Sequence, residues 1–234
     1  MGAPDARLRR VTTEAPIRDA ATVIILRRDA GETRVLMGMR GAKAAFMPSK
    51  FVFPGGAVDL ADADVPLAAR LRDDCHRRLV DPDGQNSPHT IAVAALRELA
   101  EETGLLIGQA GKSALAGYAE AGLMPDASAL RYLFRAITPA GRPRRFDAHF
   151  FIADAARVHG DPDDFSRACD ELSHLHWVTL SEARNLDLPF ITEVVLAELS
   201  QLIAGLPHGS PLPCPASVPF FDNRTTTPTF SQIT

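Results

Sequence analysis

Hydrophobic residues occur along the chain in short runs and amphipathic stretches, a pattern that predicts alternating strands and helices. Residues 21–26 form an apolar, β-branched run typical of a buried strand, and residues 34–39 predict a return strand after a turn at 29–32. Residues 51–53 predict a brief strand that ends at a Pro-Gly-Gly turn. Three later strands are predicted at 130–138, 146–152 and 175–178.

The strongest helix prediction covers residues 90–103, whose apolar positions fall on one face. Ser87 or Thr90 is suited to cap its start, and Gly104 stands where a left-handed terminal residue is favoured. A helix is predicted to begin at residues 181–184, and a second amphipathic helix is predicted at 191–203. The spacing of these elements predicts an α/β protein.

A length of 234 residues suits one domain with insertions or a small appendage. The pattern predicts a polar N-terminal arm at 1–19, a domain at 20–205, and an extended, Pro- and Thr-rich tail at 206–234. Residues 60–89 combine an amphipathic stretch with a cluster of turn-forming residues, which predicts an inserted helix and loop.

Composition narrows the function classes. A net charge of −4 and a pI of about 6.0 argue against a protein that coats nucleic acid. No apolar run is long enough to span a membrane, so we expect a cytoplasmic protein without a membrane partner. Cys75, Cys169 and Cys214 are far apart and odd in number, a pattern that predicts free thiols in a reducing compartment.

Residues 97–105 carry acids at helical spacing. On a helix, Glu98 and Glu102 lie one turn apart on the same face, and Glu101 borders that face. Arg97 precedes Glu101 by four residues and can brace its carboxylate. Three carboxylates this close repel one another unless a cation compensates, and Mg²⁺ prefers oxygen ligands. The cluster therefore predicts a site for a hard divalent cation.

Adjacent glycines, Gly55 and Gly56, supply the second half of the predicted site. Their backbone can approach a ligand closely, and the Gly55 carbonyl could complete the metal shell. An acidic helix face alone is usually only solvated, and Pro-Gly-Gly alone is a turn. The pattern R-E-U-x-E-E-x-G-U (U, bulky aliphatic) arises by chance in a chain of this length on the order of once in ten thousand sequences. The combination therefore favours a metal site.

Residues 53–56 and 97–105 together resemble the Nudix box, G-x(5)-E-x(7)-R-E-U-x-E-E-x-G-U. The resemblance covers about residues 20–203 and implies an α/β/α sandwich around a mixed β-sheet. It implies metal-dependent hydrolysis of a P–O–P bond in a nucleoside diphosphate linked to another moiety, with Mg²⁺ (or Mn²⁺) as cofactor. The metal ligands that it implies are at Gly55, Glu98, Glu101 and Glu102.

The chain departs from the box at one position. His89 stands eight residues before Arg97, where the box has its first glutamate. Asp59, Asp62 or Asp64 could take over part of that role.

The expanded box resembles the Nudix branch that contains peroxisomal coenzyme A diphosphatases and their bacterial relatives. This resemblance implies coenzyme A or acyl-coenzyme A as substrate, with 3′,5′-ADP and a phosphopantetheine species as products. ADP-ribose or a nucleotide sugar is the alternative substrate. A nucleotide-sensing domain without catalysis is the alternative of another class, although retention of all three helix acids argues against it.

Candidate substrate contacts and acid–base groups also lie outside the helix. Arginine forks and lysines suit phosphate oxygens, although a solvated basic loop is an alternative interpretation. Glu101 and Glu171 are alternative general bases, and Glu98 is a further catalytic candidate. The expected partner is a small nucleotide diphosphate, and a homodimer remains an open alternative. Predicted substrate contacts are Arg40, Lys50, Gly56, Arg144 and Arg145.

Overall fold

The computed structural model describes residues 15–28, 31–42, 44, 46–207, 209–225 and 227–234. The predicted N-terminal arm, up to residue 14, and half of the turn predicted at 29–32 lie outside the described residues.

The strands of the described chain occur in three groups along the sequence. The first group is β1 (Ile17–Arg27), β2 (Arg34–Arg40), β3 (Phe51–Val52) and β4 (Gly55–Ala57). The second is β5 (Gly108–Ala110), β6 (Leu123–Pro125), β7 (Arg131–Ile137), β8 (Arg145–Asp154) and β9 (Leu172–Thr179). The third is β10 (Val218–Asp222) and β11 (Thr229–Ile233).

Helices lie between and after these strands. They are α1 (Asp73–Leu79), α2 (Pro88–Thr103), α3 (Tyr118–Ala121), α4 (Leu180–Ala183) and α5 (Phe190–Ile203). Short 3₁₀ turns occur at Leu60–Asp64, Ala127–Ala129 and Ala155–Arg157. Among the described residues, no helix combines the length and the apolar character needed to cross a bilayer.

Nine strands form one mixed sheet, whose main path is β11-β10-β7-β8-β1-β2-β3. Strand β1 runs parallel to β8, and β10 runs parallel to β7, whereas the other neighbours are antiparallel. The short β4 pairs with β1, and β9 pairs with β2. The mixed sheet with helices packed around it confirms the predicted α/β class.

Alternate residues of the central strand face two separate cores. Val23 packs in the cluster that contains Leu96 of α2, whereas its neighbour Ile24 packs in the cluster that contains Leu196 of α5. Successive strand side chains point to opposite faces of a sheet, so a strand buried on both faces is apolar throughout. The sheet therefore lies between a helical layer with α2 and another with α5, as the sandwich prediction requires.

The predicted ends of α2 are confirmed by its capping contacts. The Ser87 hydroxyl accepts a hydrogen bond from the backbone N–H of Thr90 at 3.2 Å, and Pro88 occupies the first helical position. Gly104 ends the helix with a φ of 76°, a left-handed conformation that glycine adopts without a steric penalty. Local sequence thus fixes both ends of the helix that carries the acids.

Long-range strand pairing places strands in the segments predicted as the N-terminal arm and the tail. Strand β1 begins at Ile17, inside the predicted arm, because Ile17 pairs with Arg145 in the neighbouring strand. Strands β10 and β11 place much of the predicted tail within the main sheet, since β10 adds to the edge of β7. Within the insertion predicted at 60–89, the α-helical part before α2 is α1.

We expect Leu99→Ala to lower the free energy of unfolding by about 2–5 kcal/mol, because it leaves a cavity between α2 and the sheet. Leu99 is fully buried in the core. Leu60→Ala is the matched control, since Leu60 is 94% exposed, and we expect a change within about 0.5 kcal/mol. Urea denaturation measures both values, and equal losses would contradict the packing of α2.

Candidate active site

Helix α2 crosses the start of β4 and brings the acids to the diglycine bend. Gly55 pairs with Thr22 of β1, and its N–H donates to Glu102 Oε2 at 2.7 Å. Glu98 lies one turn earlier on the same helix, next to Gly56. The two separated segments predicted to form the site are therefore adjacent in the folded chain.

Both glycines are required by space. A Cβ at Gly56 would lie 2.4 Å from Glu98 Oε2, and a Cβ at Gly55 would lie 2.5 Å from the Ala21 carbonyl oxygen. Any side chain at either position would displace the carboxylate or the neighbouring strand. The diglycine bend thus lets the backbone approach the acids closely.

Arg97 anchors the acids to the segment that precedes the helix. Its Nε and Nη2 atoms donate to the two oxygens of Asp62 at 2.8 and 3.0 Å. Its Nη1 atom donates to Glu98 at 2.8 Å and to Glu101 at 3.1 Å, and Nη2 also donates to the Ala57 carbonyl at 3.0 Å. The Ala57 acceptor is a backbone carbonyl, so no side-chain pattern could have predicted this contact.

Asp62 is the acid of the preceding segment that pairs closely with Arg97. Its carboxylate is 1% exposed and forms a bidentate pair with Arg97, whereas Asp59 is 4.0 Å from the guanidinium. His89, which stands at the sequence position of that glutamate, instead contacts the Val65 carbonyl at 2.9 Å. Of the acids considered for this role, Asp62 is the one that binds Arg97 closely.

Glu102 is a buried carboxylate with an unused oxygen. Glu102 is 1% exposed, and this burial raises the pKa of its carboxyl to about 8. Within the described chain, Oε1 has no hydrogen-bond partner, and the nearest cation is Arg40 Nη2 at 3.8 Å. A buried acceptor without a donor is costly, and a bound cation would satisfy it.

The other acids add negative charge around Glu102. Burial raises the pKa of Glu98, and the nearby Glu101 and Glu171 raise it further, whereas Arg97 opposes these effects. Glu171 also raises the pKa of Glu102 electrostatically, which places its charge within reach of the same cluster. The donors are all oxygens, so the residues present fit Mg²⁺ or Mn²⁺.

Of the predicted basic residues, Arg40 lies at this site. Its Nη2 atom donates to the Gly55 carbonyl at 3.3 Å, the group predicted to bind metal. Lys50 pairs with the Asp187 carboxylate, while its own carbonyl accepts the Arg40 N–H at 2.9 Å. Arg40 is therefore beside the acids, whereas the ammonium of Lys50 already has a partner.

The predicted substrate contact Arg145 is buried and binds backbone carbonyls in this structure. It is 3% exposed and donates to the carbonyls of Thr138 at 3.1 Å and Asn223 at 2.6 Å, so its guanidinium ties the end of β7 to the C-terminal segment. Arg145 pairs with Ile17 of β1, whereas Gly56 pairs with Ala21 of the same strand. Ile17 and Ala21 are four residues apart, which is about 13 Å along a strand. Arg144, by contrast, is exposed.

Comparisons with known proteins support the family indicated by this geometry. No family model matches the sequence. A Caenorhabditis elegans protein named "Putative nudix hydrolase 7" is 30% identical over 182 residues, which cover 70% of this chain and 52% of that protein. The chain thus spans about half the length of this curated relative.

A crystal structure of a NUDIX hydrolase from Alicyclobacillus acidocaldarius is similar to the fold, with a TM-score of 0.57. It is 26% identical in sequence, and the match covers 83% of this chain and 94% of that chain. The chain therefore has the Nudix fold, and both relatives support its placement among the Nudix hydrolases.

We expect Asp62→Asn to lower the free energy of unfolding by about 3–5 kcal/mol, because it leaves Arg97 without its main buried counter-charge. Asp64→Asn is the matched control: Asp64 is exposed in the same 3₁₀ turn, and we expect a change within about 0.5 kcal/mol. Urea denaturation distinguishes the two variants. Similar small losses for both would contradict the anchoring role of Asp62.

We expect the stability of the metal-free protein to depend on pH through the buried carboxyl of Glu102. Its pKa is raised on folding, so the protonated form favours the folded state. This contribution is fully present below the unfolded pKa of about 4.3 and is lost as the pH rises to about 8, with a slope of at most about 1.4 kcal/mol per pH unit. We expect Glu102→Gln to abolish that slope in chelator-containing buffer.

Urea denaturation across this pH range measures the effect. Glu193→Gln, on an exposed position of α5, is the control and should keep the wild-type slope. Identical pH profiles for the wild type and Glu102→Gln would show that Glu102 is not the buried acid described here.

Proposed function

We propose that this chain hydrolyses the P–O–P linkage of a nucleoside diphosphate joined to another moiety, with Mg²⁺ (or Mn²⁺) as cofactor. The observation that carries the proposal is the buried carboxylate of Glu102. One of its oxygens is held by the Gly55 N–H, and the other has no hydrogen-bond partner within the described chain. A second acid, Glu98, lies against Gly56 beside it.

Four groups would hold the cation: the Gly55 carbonyl and the carboxylates of Glu98, Glu101 and Glu102. The bound cation would neutralise charge on the diphosphate oxygens and acidify a water molecule. Arg97 keeps Glu98 and Glu101 in place through its Nη1 atom. Because the guanidinium is itself fixed by Asp62, the carboxylates are oriented before a substrate arrives.

Two carboxylates are candidates for accepting a proton from the attacking water. Glu101 has a half-exposed side chain that Arg97 tethers, so it can reach solvent while keeping a fixed position. Glu171 is exposed at the start of β9, and its charge acts on both Glu98 and Glu102. A general base must lie within hydrogen-bond reach of the attacking water, and either acid could meet that requirement once a substrate is bound.

Arg40 gives the site a cationic group for substrate. Its guanidinium lies between the Gly55 carbonyl and Glu102, where a diphosphate would meet the acids. A planar fork binds phosphate oxygens in two places at once, which would orient the scissile linkage. The buried Arg145 has no part in this proposal, whereas the exposed Arg144 remains a candidate for a peripheral phosphate.

The substrate that we propose is coenzyme A or acyl-coenzyme A. Support comes from the segment between Gly56 and Arg97, which expands the box in the manner of coenzyme A diphosphatases. Cleavage of the diphosphate would release 3′,5′-ADP and a phosphopantetheine species. ADP-ribose and nucleotide sugars carry the same linkage without the 3′-phosphate, so a comparison of substrates separates these hypotheses.

We expect Mg²⁺-dependent release of 3′,5′-ADP from coenzyme A, with a lower kcat/KM for ADP-ribose and NADH. Mass spectrometry of products across these three substrates measures the preference. Glu102→Gln should lower kcat/KM by about 100-fold or more, because it removes a carboxylate that would hold the cation. Glu193→Gln is the matched control and should retain the wild-type rate, since it is exposed on α5.

Turnover of ADP-ribose in preference to coenzyme A would reject the proposed substrate but keep the reaction class. Absence of turnover on all three substrates, with tight binding of one of them by calorimetry, would instead favour the nucleotide-sensing alternative. Turnover that is unchanged by Glu102→Gln would reject the proposed site.

A further inference from the structure

A second cluster of metal-binding side chains lies away from the diglycine bend, where α1 meets the C-terminal segment. Asp74 and Cys75 are in the first turn of α1, and Cys214 comes from the chain that follows α5. One ligand atom from each of the three residues lies within 4.8 Å of the others. Long-range folding thus brings together thiols that are far apart in sequence.

The backbone around Cys214 is fixed before any ligand binds. Proline precedes and follows this cysteine, and each ring restricts the local backbone dihedral angles. Arg78, one turn along α1 from Asp74, donates to the carbonyls of Pro215 at 2.7 Å and Ala216 at 2.8 Å. The two segments that supply the thiols therefore have a defined separation.

The three side chains already interact. The Cys214 thiol lies beside Asp74 and Cys75. The Cys75 thiol donates to the Leu130 carbonyl at 3.9 Å, and its sulfur accepts the Tyr132 N–H at 3.4 Å. Burial raises the pKa of the Cys75 thiol, and burial together with the Asp74 carboxylate raises that of Cys214 to about 12. Without a cation, these groups disfavour additional negative charge at one another.

Arg131 is the cationic residue whose charge acts on both thiols. Its guanidinium lowers the pKa of each thiol, while it donates to the carbonyls of Ser128 and Leu130 at 2.8 and 3.0 Å. The Asp74 carboxylate also lies 3.8 Å from the guanidinium of Arg72. Two thiolates and one carboxylate against these two guanidiniums leave a net charge of −1, which a divalent cation would offset.

We propose that Asp74, Cys75 and Cys214 bind a divalent cation of the zinc class. Thiolate and carboxylate ligands bind zinc at about 2.3 and 2.0–2.2 Å, so its donors are separated by roughly 3–4 Å. The ligand atoms of this cluster, which lie within 4.8 Å of one another, could reach that spacing with small side-chain movements. Three protein ligands leave a fourth position for water, which the partly exposed Cys214 makes accessible. Binding would release two thiol protons to solvent and requires no oxidant.

A zinc-class ion at this point would have a structural role. It would cross-link α1, which precedes the acidic helix, to the segment that leads into β10. A disulfide between the two cysteines would connect the same segments, but it requires a thiolate to attack. The adjacent carboxylate opposes formation of that thiolate, whereas a bound cation favours it.

The test is a titration of the reduced, chelator-stripped full chain with Co²⁺, whose thiolate complexes give a charge-transfer absorption. We expect one equivalent of Co²⁺ to produce this band and Zn²⁺ to abolish it by displacement. Cys214→Ser and Cys75→Ser should lose the band, and Asp74→Asn should weaken Co²⁺ affinity at least tenfold. Cys169→Ser is the matched control and should keep the wild-type band, because Cys169 is exposed and outside the cluster.

Cys75 is buried, so circular dichroism must show that Cys75→Ser still folds. If Cys75→Ser does not fold, the test rests on Cys214→Ser, because Cys214 is only partly buried. Absence of the band in wild-type protein, or its persistence in Cys214→Ser, would overturn the proposal. So would a mass loss of two hydrogens in non-reduced protein that maps to a Cys75–Cys214 disulfide. Ions at the oxygen-only site give no thiolate band, so they cannot imitate a positive result.

Discussion

The buried guanidinium of Arg97 is the group on which the arrangement of the acids depends. It contacts Asp62, Glu98 and Glu101 as well as a strand carbonyl, so it joins three segments of the chain at one point. Placing a charge in a protein interior is costly unless opposite charges and hydrogen bonds compensate for it. Asp62 supplies compensating charge through two hydrogen bonds, and Glu102 instead accepts the Gly55 N–H at the diglycine bend.

Elements whose signals are local were predicted well from the sequence. Helix α2 matched its prediction because periodicity, the Ser87 cap and the Gly104 terminus all lie within one short stretch. The start of β1 and the pairing of β10 depend on distant strands, so the residues at those positions carry no corresponding signal. For the same reason, Arg145 resembled a surface phosphate contact although folding buries it against backbone carbonyls.

The candidate site shows the same division between local and distant information. Helical spacing was enough to predict that Glu98 and Glu102 share a face, and the paired glycines predicted a close backbone approach. The choice of Asp62 as partner of Arg97 required the path of the intervening chain, which spacing does not specify. Cys75 and Cys214 were predicted to be separate free thiols because only the folded chain brings them together.

Because Asp62 is paired with Arg97, the length of the segment between Asp62 and α2 does not determine the positions of the acids on α2. Both ends of that segment are fixed, one by this pair and the other by the Ser87 cap of α2. For a flexible loop, each doubling of length adds only about 0.6 kcal/mol of closure entropy. Homologous chains could therefore gain or lose residues in the exposed turn at 82–85, outside the buried residues of α1, and evolve new surface there, while the spacing of the carboxylates stays unchanged.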